Sequence, residues 1–164
     1  IEPAIKPAML ETKSNNIGVL ATEKTLSSNL FLKTSDRFSM GVNIHEQIGF
    51  DLVRIIEENG INEELLTPKL KEYIEPMLEK NIDHLVLGCT HYYYLIYILK
   101  KILPNGVKIL DSSRAVTKRV EYLLKDYNIC SNALKAKNIF LCTGNDHVIK
   151  KFIGSGNKID KITI

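Results

Sequence analysis

The chain has 164 residues, room for one domain and an appendage at about 150 residues per domain. With 45% hydrophobic and 25% charged residues and a net charge of +3, it is neither disordered nor fibrous, and its small, dispersed basic excess gives no ground for nucleic-acid or membrane-surface binding. The longest apolar run, residues 92–99, falls short of a bilayer span, no secretory signal pattern opens the chain, and 3 cysteines at irregular spacing point to a reducing, cytoplasmic setting rather than a disulfide scaffold.

In chain order, Ile17-Gly18-Val19-Leu20-Ala21-Thr22 reads as a buried strand running into a polar turn. Residues 27–33 suit a short helix capped by Ser27, and residues 38–44 a strand. Residues 46–58 carry apolar side chains at 48, 52, 55 and 56, a helical stripe that Asn59-Gly60 ends. Thr67-Pro68 starts a further helix, with Thr as N-cap and Pro in the first helical position. Its apolar face is Leu70, Ile74, Met77 and Leu78, and Pro76 is expected to kink it. Leu85-Val86-Leu87 is another buried strand, broken by Gly88. Residues 93–103 suit a helix, Asn105-Gly106 a turn and residues 107–110 a strand. Asp111-Ser112-Ser113 caps a helix over residues 114–126, apolar at 116, 120, 123 and 124. Residues 138–141 read as a strand, Thr143-Gly144-Asn145-Asp146 as the lead into a helix ending at Phe152, and residues 161–164 as a closing strand. Strands separated by helices predict an α/β fold, a parallel sheet flanked by helices. Function in such sheets gathers at the carboxyl ends of strands, which selects residues 22–25, 88–91 and 111–113.

The sharpest local feature is Gly88-Cys89-Thr90-His91. Cys89 stands between a strand and a helix, where amide groups favour a thiolate, so its thiol should titrate below the ordinary value. His91, two residues on, can exchange a proton with it, and the pair suits a nucleophile or a general base. The plainer alternative is a small core cysteine. A zinc set of Cys89, His91, Cys142 and His147 lacks a Cys-x-x-Cys anchor, so no metal is expected. Cys130 and Cys142 read as structural or incidental, His84 as a surface or packing residue, and His45 and His147 as solvated. Tyr92-Tyr93-Tyr94 with Tyr97 reads as helix-face packing rather than an RNA-stacking surface.

Leu85-Val86-Leu87-Gly88-Cys89-Thr90-His91-Tyr92 resembles the second cysteine motif of bacterial glutamate racemases, of the aspartate/glutamate racemase superfamily. Further stretches are similar in order and spacing. Ile1-Glu2-Pro3-Ala4 resembles a strand-ending motif, and residues 17–25 resemble a strand with a Thr-bearing loop. Residues 73–77 with Ile82-Asp83, then Ile109-Leu110-Asp111-Ser112 and Cys142-Thr143-Gly144-Asn145, match later landmarks.

The resemblance implies a cofactor-independent interconversion of L- and D-glutamate that feeds peptidoglycan synthesis, with one cysteine removing the α-proton and a second delivering a proton to the opposite face. Cys89 would be one of the two, Thr90 would bind the substrate carboxylate together with His91, His91 would assist Cys89, and Glu57 would orient His91. Thr22 and Thr25 fall in a loop near the substrate. Residues 1–113 would be the second domain of such an enzyme, and residues 114–164 the C-terminal elements of the first. The family's N-terminal segment, with the other cysteine, has no counterpart here, so this polypeptide by itself is expected to be inactive and to need that segment as a partner. Family members are often dimers, so a homodimer is expected. Tyr93 replaces a usual Pro, Gly49-Phe50 a usual Cys-Pro, and Arg54 stands where Pro is common. An aspartate or hydantoin racemase, a non-catalytic binding or regulatory module on the same fold, and a Cys–His hydrolase are the alternatives.

Overall fold

A computed structural model describes residues 2–38, 41–131, 138–154 and 156–163, in two compact units, residues 1–123 and 124–164. In the first unit the strands are β1 (Asn16–Ala21), β2 (Asn43–Ile48), β3 (His84–Leu87) and β4 (Lys108–Leu110). They are all parallel, in the order β2-β1-β3-β4. Helix α1 (Glu2–Glu11) precedes them, and between them run helices α2 (Glu23–Leu26), α3 (Asn29–Phe38), α4 (Leu52–Asn59), α5 (Glu63–Leu78) and α6 (Ile96–Ile102), with a 3₁₀ turn at Thr90–Leu95. Helix α7 (Ser113–Asp126) follows β4. In the second unit β5 (Phe140–Cys142) pairs in parallel with β6 (Ile159–Lys161), and α8 (His147–Ile153) lies between them in sequence.

Helices cover both faces of the four-stranded sheet, which is why β1 and β3 are apolar almost throughout. On one face Ile17, Val19, Ala21 and Val86 pack with Ala4, Ile5, Ala8 and Met9 of α1 and Phe31 of α3. The other face takes α5: a Cβ on Gly18 would meet Met77 Sδ and Ile82 Cδ1, both at 2.8 Å.

Several boundaries differ from the sequence expectations. Helix α1 was not foreseen. Residues 38–44 are not one strand: α3 runs to Phe38 and β2 spans 43–48, while residues 39–40 lie outside the described residues, as do Ile1 and Ile164. The helix expected from residue 46 begins at Leu52, because Ile48 belongs to β2 and pairs with Ala21. Helix α5 starts at Glu63, where the Asn62 carboxamide oxygen accepts the Leu65 amide at 3.2 Å, so Pro68 lies inside the helix rather than at its start. Residues 93–103 divide into the 3₁₀ turn and α6, and the helix expected at 27–33 with Ser27 as its cap is α3, beginning at Asn29, while Ser27 is the C-cap of α2.

The N-terminal edge of the sheet is tied by Asp83, just before β3. Its Oδ1 accepts from the Thr12 hydroxyl and from His84 Nδ1, each at 2.7 Å. Its Oδ2 accepts the Lys13 and Ser14 amides at 2.6 and 2.9 Å. Partial burial pushes this carboxyl up. The Thr12, His84, Ser14 and Lys13 donors together outweigh that and hold it well below the usual carboxylate range. His84 is buried, the packing alternative of its expectation as a surface or packing residue, and its Nε2 has no hydrogen-bond partner among the described residues.

Candidate active site

The four parallel strands bring four loops to one edge of the sheet. Three are those expected, after β1, β3 and β4. The fourth, Gly49-Phe50-Asp51 after β2, lies within the stretch 46–58 whose spacing predicts a helix. Past β3, the Gly88 amide still donates to the Leu20 carbonyl at 2.9 Å, which holds the chain in the sheet up to the motif. Cys89 is extended, at φ −138° and ψ 140°, and the 3₁₀ turn begins directly after it.

Cys89, His91 and Glu57 come together. The Cys89 Sγ lies 4.0 Å from His91 Nδ1, and His91 Nε2 lies 3.0 Å from Glu57 Oε1 on α4. A carboxylate at Nε2 favours the proton on that nitrogen, so a neutral imidazole turns its Nδ1 lone pair toward the sulfur. The thiol does not titrate as expected. Burial pushes Cys89 up, the His91 and Tyr92 amides pull it down by less, and the Glu57 carboxylate adds to the rise. The amides of the turn do reach the sulfur, but burial and the Glu57 carboxylate together outweigh them. Cys89 therefore rests as a thiol.

Cys89 and Thr90 open onto a cleft of about 330 Å³ between the ends of β3 and β4, walled by Leu87, Tyr93, Tyr94, Ser112 and Val116. Its lining is largely apolar, with Thr90, Asp111, Ser112 and Ser113 as polar groups, and the Asp111 carboxylate accepts the Ser113 amide at 2.7 Å. Glu57 lines a second cavity of about 410 Å³, together with Thr22, Gly49, Phe50 and Arg54. Thr25 lines neither of these two cavities, and its hydroxyl lies 2.9 Å from that of Thr22. Cys142 and His147 belong to the second unit, and among the described residues no group of three or more His, Cys, Asp or Glu side chains is arranged for a metal ion.

Sequence reasoning missed two contributions. Tyr93 and Tyr94, assigned to packing, wall the cleft, whereas Tyr92 is fully buried as expected. Gly49 sits against Tyr92: a Cβ there would meet Leu52 Cδ1 at 2.7 Å and Tyr92 Cζ at 2.9 Å, besides its hydroxyl oxygen. The departure from a Cys at this position in related chains was the available signal. Gly49→Ala is expected to destabilise the chain by about 1–3 kcal/mol through overpacking. A thermal melt followed by circular dichroism should show Tm lower by about 3–10 °C; an unchanged melt would mean the ring moves aside without cost.

A family model described as Asp/Glu/Hydantoin racemase matches residues 1–120. The chain belongs to the Asp/Glu/hydantoin racemase family. Among its relatives in that family, a protein named glutamate racemase from Stutzerimonas stutzeri (strain A1501) is 36% identical over 145 residues, 88% of this chain and 54% of that protein. Another of that name from Pseudomonas entomophila (strain L48) is 34% identical over 153 residues, 93% of this chain and 58% of that protein. The fold is similar to that of the solved glutamate racemase isoform RacE1 of Bacillus anthracis, with a TM-score of 0.81 and 27% identity, covering 100% of this chain and 62% of that one. The Escherichia coli glutamate racemase, solved with L-glutamate and the activator UDP-MurNAc-Ala, gives a TM-score of 0.75 and 25% identity over 98% of this chain and 62% of that one. The racemase-family chain spans about half the length of the curated relatives it matches. Among the described residues no helix is long and apolar enough to cross a membrane.

Proposed function

We propose that this chain is the Cys89-bearing part of a glutamate racemase. The carrying observation is the Cys89–His91–Glu57 series on the carboxyl edge of a racemase-family sheet, with the Cys89 end of it lining a cleft. An amino-acid α-proton is very weakly acidic, so inversion needs a base on one face of Cα and an acid on the other, in a site with little water. As a thiol, Cys89 delivers its proton to the planar carbanionic carbon. In the reverse direction its thiolate, formed by proton loss toward His91, removes the α-proton. Glu57 fixes the His91 tautomer for this exchange. Thr90 binds the substrate carboxylate with His91, and Thr22, backed by Thr25, lies toward the same substrate.

In this reading residues 1–113 form the racemase's second domain and residues 114–164 return to its first. The opposing thiol comes from the part of the relatives' length that this chain does not span. The whole protein is a cytoplasmic homodimer that uses no cofactor and supplies D-glutamate for peptidoglycan.

The test is the ellipticity of L-glutamate incubated with the whole racemase, with L-aspartate and a hydantoin as comparison substrates. Decay of the glutamate signal to zero is expected. Decay with aspartate or the hydantoin alone would reassign the substrate, and no decay with any of them would overturn a racemase. The 164-residue chain alone is expected to leave the signal unchanged, and sustained decay that Cys89→Ser abolishes would overturn the requirement for two thiols.

A further inference from the structure

The loop Gly49-Phe50-Asp51 lies between β2 and the helix that carries Glu57, and two tyrosine hydroxyls hold its consecutive carbonyls. Tyr92 Oη donates to the Gly49 carbonyl at 3.0 Å, and Tyr73 Oη of α5 donates to the Phe50 carbonyl at 3.0 Å. The Gly49 amide donates to the Ala21 carbonyl at 2.9 Å. Asp51, the N-cap of α4, has φ +61°, a left-handed conformation that a non-glycine residue keeps only where its surroundings impose it. Its carboxylate is itself held, by Arg54 at 3.1 Å and by Lys69 Nζ at 3.7 Å, and that Lys69 ammonium donates to Tyr73 Oη at 3.3 Å.

Tyr92 follows His91 directly in the chain. Its ring is fully buried, so its hydroxyl cannot exchange the Gly49 carbonyl for water. The contacts therefore close a ring. From His91 the backbone leads to Tyr92, whose hydroxyl holds Gly49. From Gly49 the chain turns through Asp51 into α4, and Glu57 on that helix reaches back to His91 Nε2 at 3.0 Å. A 3.0 Å contact between two partly exposed side chains is weakly fixed by itself. Here both partners are anchored through their backbones to the same carbonyl.

Resting on the reading of Cys89, His91 and Glu57 given above, we infer that Tyr92, backed by Tyr73, is a positioning residue that holds Glu57 against His91 and so sets the proton affinity of the Cys89 thiol. Neither hydroxyl lines the cleft, so neither touches substrate. They act on the chemistry through the loop and helix that aim Glu57.

The experiment uses the 164-residue chain. The pH dependence of iodoacetamide alkylation at Cys89 is followed by peptide mass spectrometry, which reads Cys130 and Cys142 in the same samples. The groups facing the thiol are the His91 imidazole at 4.0 Å, the Glu57 carboxylate from α4 and the His91 and Tyr92 amides of its own turn. Removing the carboxylate in Glu57→Gln should move the Cys89 profile to lower pH. Tyr92→Phe, which keeps the buried ring, should move it in the same direction by about half as much or more, as the carboxylate drifts from its place. Tyr73→Phe should produce a smaller shift of the same sign. In the double variant Glu57→Gln/Tyr92→Phe the profile should match Glu57→Gln alone, because Tyr92 then has nothing left to position. The Cys130 and Cys142 profiles should not move in any variant.

A shift in Glu57→Gln with none in either tyrosine variant would overturn the positioning role and leave the Cys89–His91–Glu57 reading standing. Additive shifts in the double variant would also overturn it, since Tyr92 would then act on the thiol by another route. No shift in Glu57→Gln would instead remove Glu57 from the unit and take down the earlier reading. If Tyr92→Phe did not fold, the same comparison would be read from Tyr73→Phe alone and in combination with Glu57→Gln.

Discussion

On the glutamate-racemase reading proposed above, Cys89→Ser in the whole protein is expected to lower kcat for racemisation by about a thousandfold or more, in both directions. A serine hydroxyl at this position keeps the size and the hydrogen-bonding reach of the thiol. It is far less acidic, so it neither gives a proton to a carbanionic carbon nor becomes a base at neutral pH. KM should change little, because Thr90 and the cleft walls remain. The loss should be one-sided in another measurement. In heavy water the opposing thiol of the proposed mechanism would still remove the proton it faces, so one enantiomer of glutamate should exchange its α-proton for deuterium while the other does not. Proton NMR of the α-position separates the two. Unchanged turnover would remove Cys89 from the reaction, and equal exchange into both enantiomers would mean that a single group serves both faces.

The second large effect is on stability. Asp83→Ala leaves the Lys13 and Ser14 amides, the Thr12 hydroxyl and the buried His84 Nδ1 without their common acceptor. Allowing for the partial solvation of the carboxylate, the expected cost near neutral pH is about 2 kcal/mol. The effect should depend on pH in a fixed sense. Because the folded protein holds Asp83 below its unfolded value, the unfolded chain takes up the proton first as pH falls. The stabilisation is therefore complete above the ordinary carboxylate range and shrinks below it. Between about pH 6 and about pH 3 the gap between wild type and Asp83→Ala should close by about 1 kcal/mol, as urea titrations at the two ends would show. A gap that stayed constant or widened toward acid would contradict the assignment of Asp83 as the acceptor of these four donors.

The parts of this fold that could be read from sequence are those whose burial leaves a continuous mark. Strands β1 and β3 are covered on both faces, so Ile17 to Ala21 and Leu85 to Leu87 are apolar runs with no competing period. Strand β2 lies at the edge of the sheet and is half-exposed, with Ile44 and Ile48 as its apolar anchors between His45, Glu46 and Gln47. Ile48 is spaced from Leu52 as a helical neighbour would be, and that coincidence drew the whole loop into a helix. In α5, Thr67-Pro68 is a strong local start signal. The tertiary packing of Leu66, Leu70, Tyr73, Ile74 and Met77 overrides it and carries the helix through the proline from Asn62.

The site was legible to a similar degree. Cys89 and His91 are close in sequence, so their proximity follows from a turn. Glu57 lies in another element, and it came from resemblance to related chains, which the packing of α4 against the turn explains afterwards. The direction of the thiol's titration was not legible. It depends on how much of the sulfur is covered, and a motif does not encode that. The hydrogen bonds from Tyr92 and Tyr73 to backbone carbonyls were equally out of reach, because neither tyrosine stands near Gly49 or Phe50 in sequence.

Strand β3 has a different task at each end. Asp83 ties down the edge where the strand begins, and Cys89 emerges at the edge where it finishes, with four buried residues between them. Robustness and reactivity are thus physically separated along one short rod. Residue changes around the thiol can accumulate without loosening the anchor at the far end, which gives such a scaffold latitude to diversify.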